Sequence, residues 1–539
     1  MSIPSDVYGV VEIGSNGVRF VVADLPQDYR ARNLAPLFYD RAKISVFDAI
    51  SSNSSNTIPP GVLFDLRHAI ERFNKICGSL NVLSRNISVI ATEACRRTSN
   101  AGELAQMLHL INPEWSINFL SQEVESNYGV WGIISSLSDV QGITVDVGGG
   151  SCQISWTYAS KDIVHLAPKP ALTSFGAIEL SNRLHTVGEN QLKRELISSF
   201  QRAFREIQVP AHWNGVTLYL CGGGLRALAA LSMYTQSQHK PYPIPVINGY
   251  RCTMEDLKRL VEISINESII EDLEKVFRIS KRRAMQIPAL LVLVRALIVT
   301  APSIISIYFC QGGVKEGLLF EKIPPEVRLM DPLVTSTKRL AKPASAHILE
   351  LVQLVTPPSL VPLYIFERML PAVAYSAYEH MNYSKDTRAT AALIFATFGN
   401  LSTAYGLSHI DRALLGLILC ERWGGDVMDD EIKDGLRNVV IKECGGSSVY
   451  LFWGQYIAIL LQILAGLFPV GIVDDNNRVK AGISGSSTDL LINLSFARGD
   501  PFVESINFRI EKLGKKLMKL RKKHNISDFP RIDVRIGVH

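Results

Sequence analysis

The chain has 539 residues, of which 47% are hydrophobic and 20% are charged. This length exceeds what one hydrophobic core can organise and predicts roughly three or four domains, while the composition excludes extensive disorder. The net charge of +5 is too small for a dedicated nucleic-acid-binding protein, but it is compatible with small anionic ligands.

The eight cysteines are scattered and none forms a Cys-x-x-Cys pair, so no zinc or redox motif is visible. Reduced, mostly buried thiols would suit the cytosol or nucleus, and the N-terminus shows no signal-peptide pattern. The apolar stretch 449–473 is long enough to cross a membrane. Its flanks lack aromatic or basic anchors, which favours a buried helix.

Strand-like and helix-like segments alternate through the first 320 residues, and this alternation predicts an α/β architecture. Strand patterns lie at 7–13, 18–23, 87–91, 143–147, 152–158, 216–220 and 304–310, and helical patterns at 64–77 and 191–207. Pro324 and Pro325 mark a boundary, after which residues 344–467 have helical periodicity. The tail has a strand pattern at 489–496, a basic amphipathic helix at 502–524 and a strand at 531–538, which predicts a small β-α-β unit.

Two glycine-rich turns repeat one pattern 134 positions apart. In each, an apolar strand ends in an acidic residue, followed by a glycine turn and a second strand. The acidic residues are Glu12 and Asp146, and the turns are Gly14-Ser15-Asn16-Gly17 and Gly148-Gly149-Gly150-Ser151. The repeat predicts two similar subdomains that face each other across a cleft.

These turns have the chemistry of a phosphate site. Glycine turns leave backbone N–H groups free to bind an oxyanion, and hydroxyl or amide side chains such as Ser15, Asn16 and Ser151 add donors. Glu12 and Asp146 could hold Mg²⁺, which prefers oxygen ligands. One such turn alone would be an ordinary β-hairpin, whereas the matched pair predicts phosphate binding.

Two more glycine clusters follow predicted strands and leave two interpretations open. Gly222-Gly223-Gly224, with Arg226, precedes the helical segment 227–233, and residues 311–317 include Lys315. The first of these clusters could bind an anion or nucleotide at a helix N-terminus, or it could allow close packing of a helix on a strand. In the second cluster, Lys315 could contact an anion.

Arg96 and Glu125 lie between the two matched turns. Arg96 follows a strand, where its guanidinium could clamp a phosphate or form a surface salt bridge. Glu125 starts a predicted helix that runs through Gly132, where a carboxylate usually compensates the helix dipole.

The order and spacing of these segments resemble the exopolyphosphatase/GppA phosphatase family over about residues 7–320. The segments are VEIGSNGVRFVV, ATEACRRTSN, SQEVESNYGVWGI, VDVGGGSCQISW, SFGAIEL, CGGGLRALA and QGGVKEGLL. The resemblance implies an actin-like ATPase (ribonuclease H-like) duplicated domain with an interdomain cleft, plus a C-terminal all-α domain and a small β-α-β tail. We predict subdomains at 1–135 and 136–323, a helical HD-like domain without the HD metal motif at 324–475, and an α+β unit at 476–539.

The family resemblance also implies a mechanism. Glu125 would orient and deprotonate a water that attacks the terminal phosphorus of polyphosphate or guanosine pentaphosphate. The glycine loops, Arg96 and Mg²⁺ near Asp146 would stabilise the charge, as expected for phosphoryl transfer.

Two positions depart from the family pattern. Glu12 stands where the family carries Asp, which moves a metal-binding carboxylate by about one C–C bond. Gln153 stands at a catalytic position where the family carries Glu, and an amide cannot act as a base. Because the backbone loops are intact, these changes predict a protein that binds phosphate ligands and turns them over weakly or not at all.

Further segments resemble the fungal retrograde-regulation proteins. They are ISVFDAI after Lys43, FRIS followed by Arg282-Arg283, and DRALLGLILCERWGGD. This resemblance implies a cytoplasmic regulator that links mitochondrial state to nuclear transcription. It also implies binding of ATP, polyphosphate or guanosine polyphosphate, a protein partner and a homodimer. From the charge and the apolar pattern we expect neither a membrane nor a direct nucleic-acid partner. The alternative is an active Mg-dependent exopolyphosphatase or guanosine pentaphosphate phosphatase.

The C-terminal part offers weaker candidates. His380, His409 and Asp411 lack the arrangement of an HD metal motif and are interpreted as structural or surface residues. The lysines of the basic helix at 502–524 are interpreted as a solvated face, with polyphosphate or partner binding as the alternative.

Overall fold

The computed structural model describes residues 6–51, 55–160, 163–236, 241–263, 272–486, 489–524 and 531–539. Internal contacts divide the chain into two compact units. The first unit comprises residues 1–237, 247–330 and 404–407, and the second comprises 238–246, 331–403 and 408–539. The four-domain division made from the sequence is finer than this and stays a prediction.

The first unit contains two sheets. The first sheet has β1 (Val7–Gly14), β2 (Gly17–Asp24), β3 (Pro36–Ala42), β4 (Ile87–Ala91) and β5 (Ser116–Phe119), in the order β3-β2-β1-β4-β5. The second has β6 (Val140–Val147), β7 (Cys152–Ser160), β8 (Ile163–Leu166), β9 (Ala171–Thr173), β10 (Val216–Cys221), β11 (Tyr250–Cys252) and β12 (Ile304–Phe309). Its order is β11-β12-β10-β6-β7-β8, and β9 pairs with β7.

The second sheet repeats the topology of the first. The order β8-β7-β6-β10-β12 matches β3-β2-β1-β4-β5, with three antiparallel strands followed by two parallel ones in both cases. The predicted α/β class and the duplicated, ribonuclease H-like subdomains are therefore confirmed.

The helices of the first unit connect and cover these sheets. They are α1 (Val46–Ser51), α2 (Pro60–Ser79), α3 (Glu93–Arg97), α4 (Ala101–Ile111), α5 (Gln122–Ser135), α6 (Ala177–Glu206), α7 (Gly223–Gln236), α8 (Met254–Val261), α9 (Lys281–Thr300), α10 (Val314–Glu321) and α11 (Pro325–Arg328). On one face of the first sheet, Phe20 stacks on Phe73 of α2 with 4.8 Å between ring centroids.

Helices α5 and α10 extend the duplication, because they follow β5 and β12, which occupy equivalent positions in the two sheets. They cross at glycines. A Cβ added to Gly132 would lie 2.3 Å from the carbonyl oxygen of Gly313, and one added to Gly317 would lie 1.8 Å from that of Tyr128. The cluster at 311–317 therefore serves close helix packing, and Lys315 forms a buried ion pair with Glu316.

Two helix starts differ from the sequence prediction. Helix α5 begins at Gln122 because the Ser121 hydroxyl accepts a hydrogen bond from the Val124 N–H and caps the helix. Glu125 therefore lies inside the first turns of the helix. Helix α6 begins fourteen residues before the predicted segment and bends at Gly188, whose φ is 78°.

The second unit is mainly helical. Its helices are α12 (Pro332–Lys338), α13 (Ala344–Leu354), α14 (Leu370–Ser376), α15 (Lys385–Leu393), α16 (His409–Arg422), α17 (Asp430–Glu443), α18 (Val449–Leu467), α19 (Pro501–Glu511) and α20 (Leu513–His524), and a π-helical turn spans Tyr364–Met369. Its sheet is β13 (Val479–Gly485), β14 (Asp489–Phe496) and β15 (Arg531–Val538), in that order.

The predicted β-α-β tail is present with two differences. Strands β14 and β15 are parallel and flank the helical segment, as predicted. The segment is divided at Lys512 into α19 and α20, and β13 adds an antiparallel strand to β14 that the sequence pattern did not show.

Two helices, Lys281–Thr300 and Val449–Leu467, are long and apolar enough to cross a membrane by length and composition among the described residues. The buried shares of their apolar windows are 56% and 67%, and core helices of folded proteins have the same composition. Helix α9 packs on α6 and α7, and α18 packs on α16 and α13.

Candidate functional site

The first glycine turn joins β1 to β2, where Gly14 pairs with Gly17. The Ser15 carbonyl accepts hydrogen bonds from the Phe47 N–H and the Ser45 hydroxyl, and the Asn16 carbonyl accepts one from Arg41 at 2.7 Å. Within the described part of the chain, the amide N–H groups of Ser15 and Asn16 have no acceptor. Their carbonyls are thus fixed while their donors remain available to an anion.

The second turn has the same property. The carbonyls of Gly148 and Gly149 accept hydrogen bonds from Ala177 and Ile178 at the start of α6, at 3.0 and 3.1 Å. The amide N–H groups of Gly149 and Gly150 have no acceptor among the described residues. Helix α6 therefore holds the loop in place and leaves its donors free.

The two turns lie against each other. A Cβ added to Gly149 would lie 2.7 Å from Asn16 Nδ2 and 3.0 Å from Ser15 Cβ. The four free amide groups are therefore brought together at one place in the cleft between the two sheets, as the sequence pattern predicted.

The two acidic residues occupy equivalent positions in the two hairpins. Glu12 faces Arg19 across the β1–β2 ladder, and Asp146 faces Gln153 across the β6–β7 ladder. Glu12 Oε1 accepts a hydrogen bond from Arg19 at 2.7 Å. Burial raises the pKa of Asp146 to about 6, although the charge of Arg19 acts in the opposite direction.

The donor set of these two residues fits a divalent cation. The second carboxylate oxygen of Glu12 is buried without a hydrogen-bond partner in the described structure, and no hydrogen bond to the Asp146 carboxylate is formed there either. Mg²⁺ typically binds through one or two carboxylates plus ligand phosphates. Groups of three or more metal-ligating side chains are not found in the described ranges.

Glu125, the predicted catalytic residue, is buried on α5. Its Oε2 accepts a hydrogen bond from Arg96 Nη1 at 2.6 Å. Burial raises its pKa to about 7, and the bond to Arg96 opposes this rise. In this state Arg96 positions Glu125, and its contact with phosphate stays a prediction.

Gln153 and Asp146 lie beside the same helix face as Glu125. A Cβ on Gly129, one turn after Glu125, would lie 3.6 Å from Asp146 Oδ2 and 3.8 Å from Gln153 Oε1. The fold therefore places an amide next to the acidic pair, at the position where the family resemblance expects a carboxylate.

The three glycines of the third cluster, residues 222–224, have different surroundings. Gly222 has a φ of 106°, and a Cβ there would lie 3.0 Å from Asp146 Oδ1, so a side chain is excluded beside the acidic pair. A Cβ on Gly224 would meet Leu290 at 2.6 Å, which is a packing role. A Cβ added to Gly223 would lie 3.8 Å from Arg283 Nη2.

A cluster of arginines surrounds these loops, and sequence reasoning identified only one of them as a ligand residue. Its members are Arg19, Arg41, Arg226, Arg282 and Arg283. Burial and the neighbouring charges of Arg226, Arg41 and Arg19 lower the pKa of Arg283 to about 10. Arg282 donates to Asn16 Oδ1 at 2.7 Å.

Three members of this cluster, Arg41, Arg226 and Arg283, form no ion pair with the described residues. Arg19 could have been found from the sequence, because a two-residue hairpin places it opposite Glu12. Arg41 comes from β3 and Arg283 from α9, and no local motif connects them to the loops.

In the second unit, His380, His409 and Asp411 are buried. His409 lies between the Tyr242 hydroxyl and the Val246 carbonyl, at 2.9 and 2.8 Å, and Asp411 caps α16 by accepting from the Ser408 N–H. Burial lowers the pKa of His409 to about 3 and that of His380 to about 4.

The Ppx/GppA phosphatase family matches residues 27–326, which is more than half of the chain, and the chain belongs to this family. The RTG2 C-terminal domain matches residues 331–539. Retrograde regulation protein 2 from Saccharomyces cerevisiae is 33% identical over 492 residues, which cover 88% of this chain and 83% of that protein. Both resemblances found in the sequence are thereby confirmed.

Solved structures similar to part of the chain include two from bacteria. An exopolyphosphatase from Cytophaga hutchinsonii is 15% identical, with a TM-score of 0.47 over 59% of this chain and 99% of that one. A Ppx/GppA family member from Aquifex aeolicus is 17% identical, with a TM-score of 0.46 over 58% of this chain and 96% of that one.

Proposed function

We propose that this protein binds a phosphate ligand, namely ATP, polyphosphate or guanosine polyphosphate, in the cleft of its first unit. We further propose that it acts as a cytoplasmic regulator of mitochondria-to-nucleus retrograde signalling, with weak or no hydrolysis. The observation that carries the proposal is the convergence of free backbone amides with arginines that lack an ion-pair partner.

The electrostatics of the cleft support an anionic ligand. Positively charged arginines at close range repel one another, and burial removes the water that would screen their charges. Arg41 and Arg283 both have a lowered pKa for these two reasons. A ligand with several negative charges would relieve the repulsion and accept hydrogen bonds from the loop amides.

The acidic pair supports Mg²⁺ as a cofactor. Glu12 and Asp146 would hold the ion, which would neutralise phosphate charge when bound. Arg19 interacts with both carboxylates. It forms an ion pair with Glu12, and its positive charge opposes the rise in the pKa of Asp146 that burial causes.

Gln153 supports weak or absent turnover, because an amide next to Asp146 cannot accept a proton from water. Glu125 favours the alternative of an active phosphoanhydride hydrolase. With a pKa of about 7, a fraction of its carboxylate is ionised at neutral pH and could act as a base.

The regulatory role is supported by similarity to Retrograde regulation protein 2 along most of the chain and by the match to the RTG2 C-terminal domain. A protein partner follows from such a role. Homodimer formation and the cytoplasmic location are proposed from the family resemblance alone.

The test measures binding and turnover on the same purified protein. Titration with tripolyphosphate in the presence of Mg²⁺ should show binding that weakens about tenfold or more in Arg226→Gln, because a charge-assisted contact is lost. Arg202→Gln is the matched control, since Arg202 is an exposed arginine on α6 with only a 3.9 Å pair to Glu206.

Phosphate release from long-chain polyphosphate is then assayed with Glu125→Gln as the blank. We expect no release above that blank. Release that disappears in Glu125→Gln would establish the enzyme alternative, and an absence of tripolyphosphate binding would overturn the proposed ligand class.

A further inference from the structure

Strand β15 forms an open edge of the sheet in the second unit. Among the described residues it pairs with β14 alone, over its full length and without a bulge. Edge strands are usually short, bulged, interrupted by proline or covered, because an open edge pairs readily with another chain. Strand β15 has eight residues without a proline, and Arg535, Ile536 and Val538 are exposed.

The backbone groups of β15 that face outward can be assigned from His539, the residue after the strand. Its N–H donates to the Phe496 carbonyl and its carbonyl accepts from the Arg498 N–H, both at 3.0 Å. Both bonds lie on the side of β14. Because alternate residues of a strand bond to opposite sides, the odd-numbered residues of β15 bond to β14. The backbone groups of the even-numbered residues point outward and have no partner in the described part of the chain.

The sequence of β15 is complementary to a second copy of itself that runs in the opposite direction. When Val534 lies opposite its own counterpart, Ile532 lies opposite Ile536 and Asp533 lies opposite Arg535, each twice by symmetry. The outward-facing even-numbered residues then form the hydrogen-bonded pairs. Asp533 and Arg535 form the other class of pairs, in which side chains approach more closely.

Charge selects this register over its neighbours. A shift by two residues keeps the outward backbone groups facing each other, but it sets either Asp533 or Arg535 opposite its own counterpart. Like charges directly across a sheet are destabilising, whereas opposite charges attract. Asp533 remains available, because its 3.2 Å pair with Arg531 is exposed to solvent and therefore weak.

The apolar side of β15 is covered at one end only. Ile532 is buried, and a Cβ on Gly514 of α20 would lie 3.9 Å from Val534 Cβ, so α20 covers this part of the strand. Ile536 is 43% exposed. In the antiparallel pair, Ile536 would lie directly opposite Ile532 of the second copy, and both apolar side chains would gain a cross-strand contact.

We propose that β15 of two copies of this chain pair antiparallel about Val534 and join their three-stranded sheets into one continuous sheet. This inference rests on the homodimer in the proposed function and gives it a contact surface. It is independent of the proposed phosphate ligand.

The experiment measures the molar mass of the full chain by light scattering after gel filtration, over about 1–100 μM protein. The buffer contains about 0.15 M salt, which screens charges more than about 8 Å apart. We expect a dimer at the upper end of this range. Arg535→Asp should weaken it about tenfold or more, because two Asp–Arg pairs become two pairs of like charge. The double variant Asp533→Arg/Arg535→Asp should restore the dimer, since opposite charges face each other again.

Lys480→Asp is the matched control, because Lys480 is an exposed cation on β13, the other edge strand of the same sheet. It should leave the dimer unchanged. Ile536→Pro should remove the dimer, since its N–H faces outward and proline is tolerated on an edge strand in that position. Circular dichroism checks that each variant stays folded.

The outcomes separate this inference from the homodimer on which it rests. A dimer that survives both Arg535→Asp and Ile536→Pro, or a double variant that stays monomeric, would overturn pairing through β15 in this register while leaving a homodimer in place. A monomer at every concentration would overturn the homodimer itself, and the phosphate ligand would still be tested by the tripolyphosphate titration.

Discussion

Asp146 lies across the β6–β7 ladder from Gln153 and has no hydrogen-bond donor among the described residues. Burial raises its pKa to about 6, so the folded protein binds a proton more tightly than the unfolded chain. The stabilising effect of that proton is complete below about pH 4 and is lost as pH rises through about 6. Above that range, an ionised Asp146 destabilises the first unit.

We therefore expect Asp146→Asn to stabilise the protein without ligand or Mg²⁺ at pH 8, by about 1–3 kcal/mol, since each pKa unit corresponds to ~1.4 kcal/mol. At pH 4.5 the substitution should have almost no effect. Thermal unfolding at the two pH values measures the difference. An exposed carboxylate on α2, Asp65, provides the control substitution Asp65→Asn, and destabilisation by Asp146→Asn at both pH values would contradict the prediction.

The residues of the candidate site were predictable from the sequence to different extents. The glycines and the two acids follow from a local pattern, and the structure brings them together. Arg41 and Arg283 were missed because they reach the cleft from β3 and α9, and only tertiary folding places them beside the loops.

Among the elements, strands with clear alternation were predicted within a few residues. Strand β4 matches its predicted bounds, because all five of its residues are buried and four of them are apolar. The first half of α6 was missed because Gly188 interrupts the pattern. Strand β13 was missed because its half-exposed residues include two glycines.

The crossing of α5 and α10 gives a prediction for these elements. Gly132→Ala would place a Cβ 2.3 Å from a backbone oxygen of Gly313, which no side-chain motion can relieve. We expect a net loss of about 2 kcal/mol, because overpacking outweighs the ~1 kcal/mol that alanine gains over glycine in a helix. Urea unfolding followed by circular dichroism measures the change.

Gly78→Ala is the matched control for this crossing. Gly78 is also a helical glycine, near the end of α2, and a Cβ there would meet nothing within 4 Å. This substitution should stabilise the protein by about 0.5–1 kcal/mol. If Gly132→Ala were equally stabilising, the close approach of the two helices would be wrong.

At the scale of the whole molecule, the division into two units coincides with the two family matches. The Ppx/GppA match ends at residue 326 and the RTG2 C-terminal match begins at 331, close to the boundary at 330 between the two units. The phosphate loops, the acidic pair and the arginine cluster all belong to the first unit. The second unit is therefore the place to look for the partner surface that the proposed regulatory role would require.

This separation predicts where a ligand changes hydrogen exchange. A ligand at 100 times its dissociation constant stabilises the state that binds it by about 2.7 kcal/mol. With ATP and Mg²⁺, slowed amide exchange should centre on residues 12–20, 146–153 and 222–228, where the free loop amides gain an acceptor. Arg226→Gln should weaken this pattern at the same ATP concentration, because a tenfold loss of affinity lowers the stabilisation from about 2.7 to about 1.4 kcal/mol. If exchange slowed mainly in residues 408–524 instead, the ligand would bind the second unit, and the arginine cluster of the first unit would need another explanation.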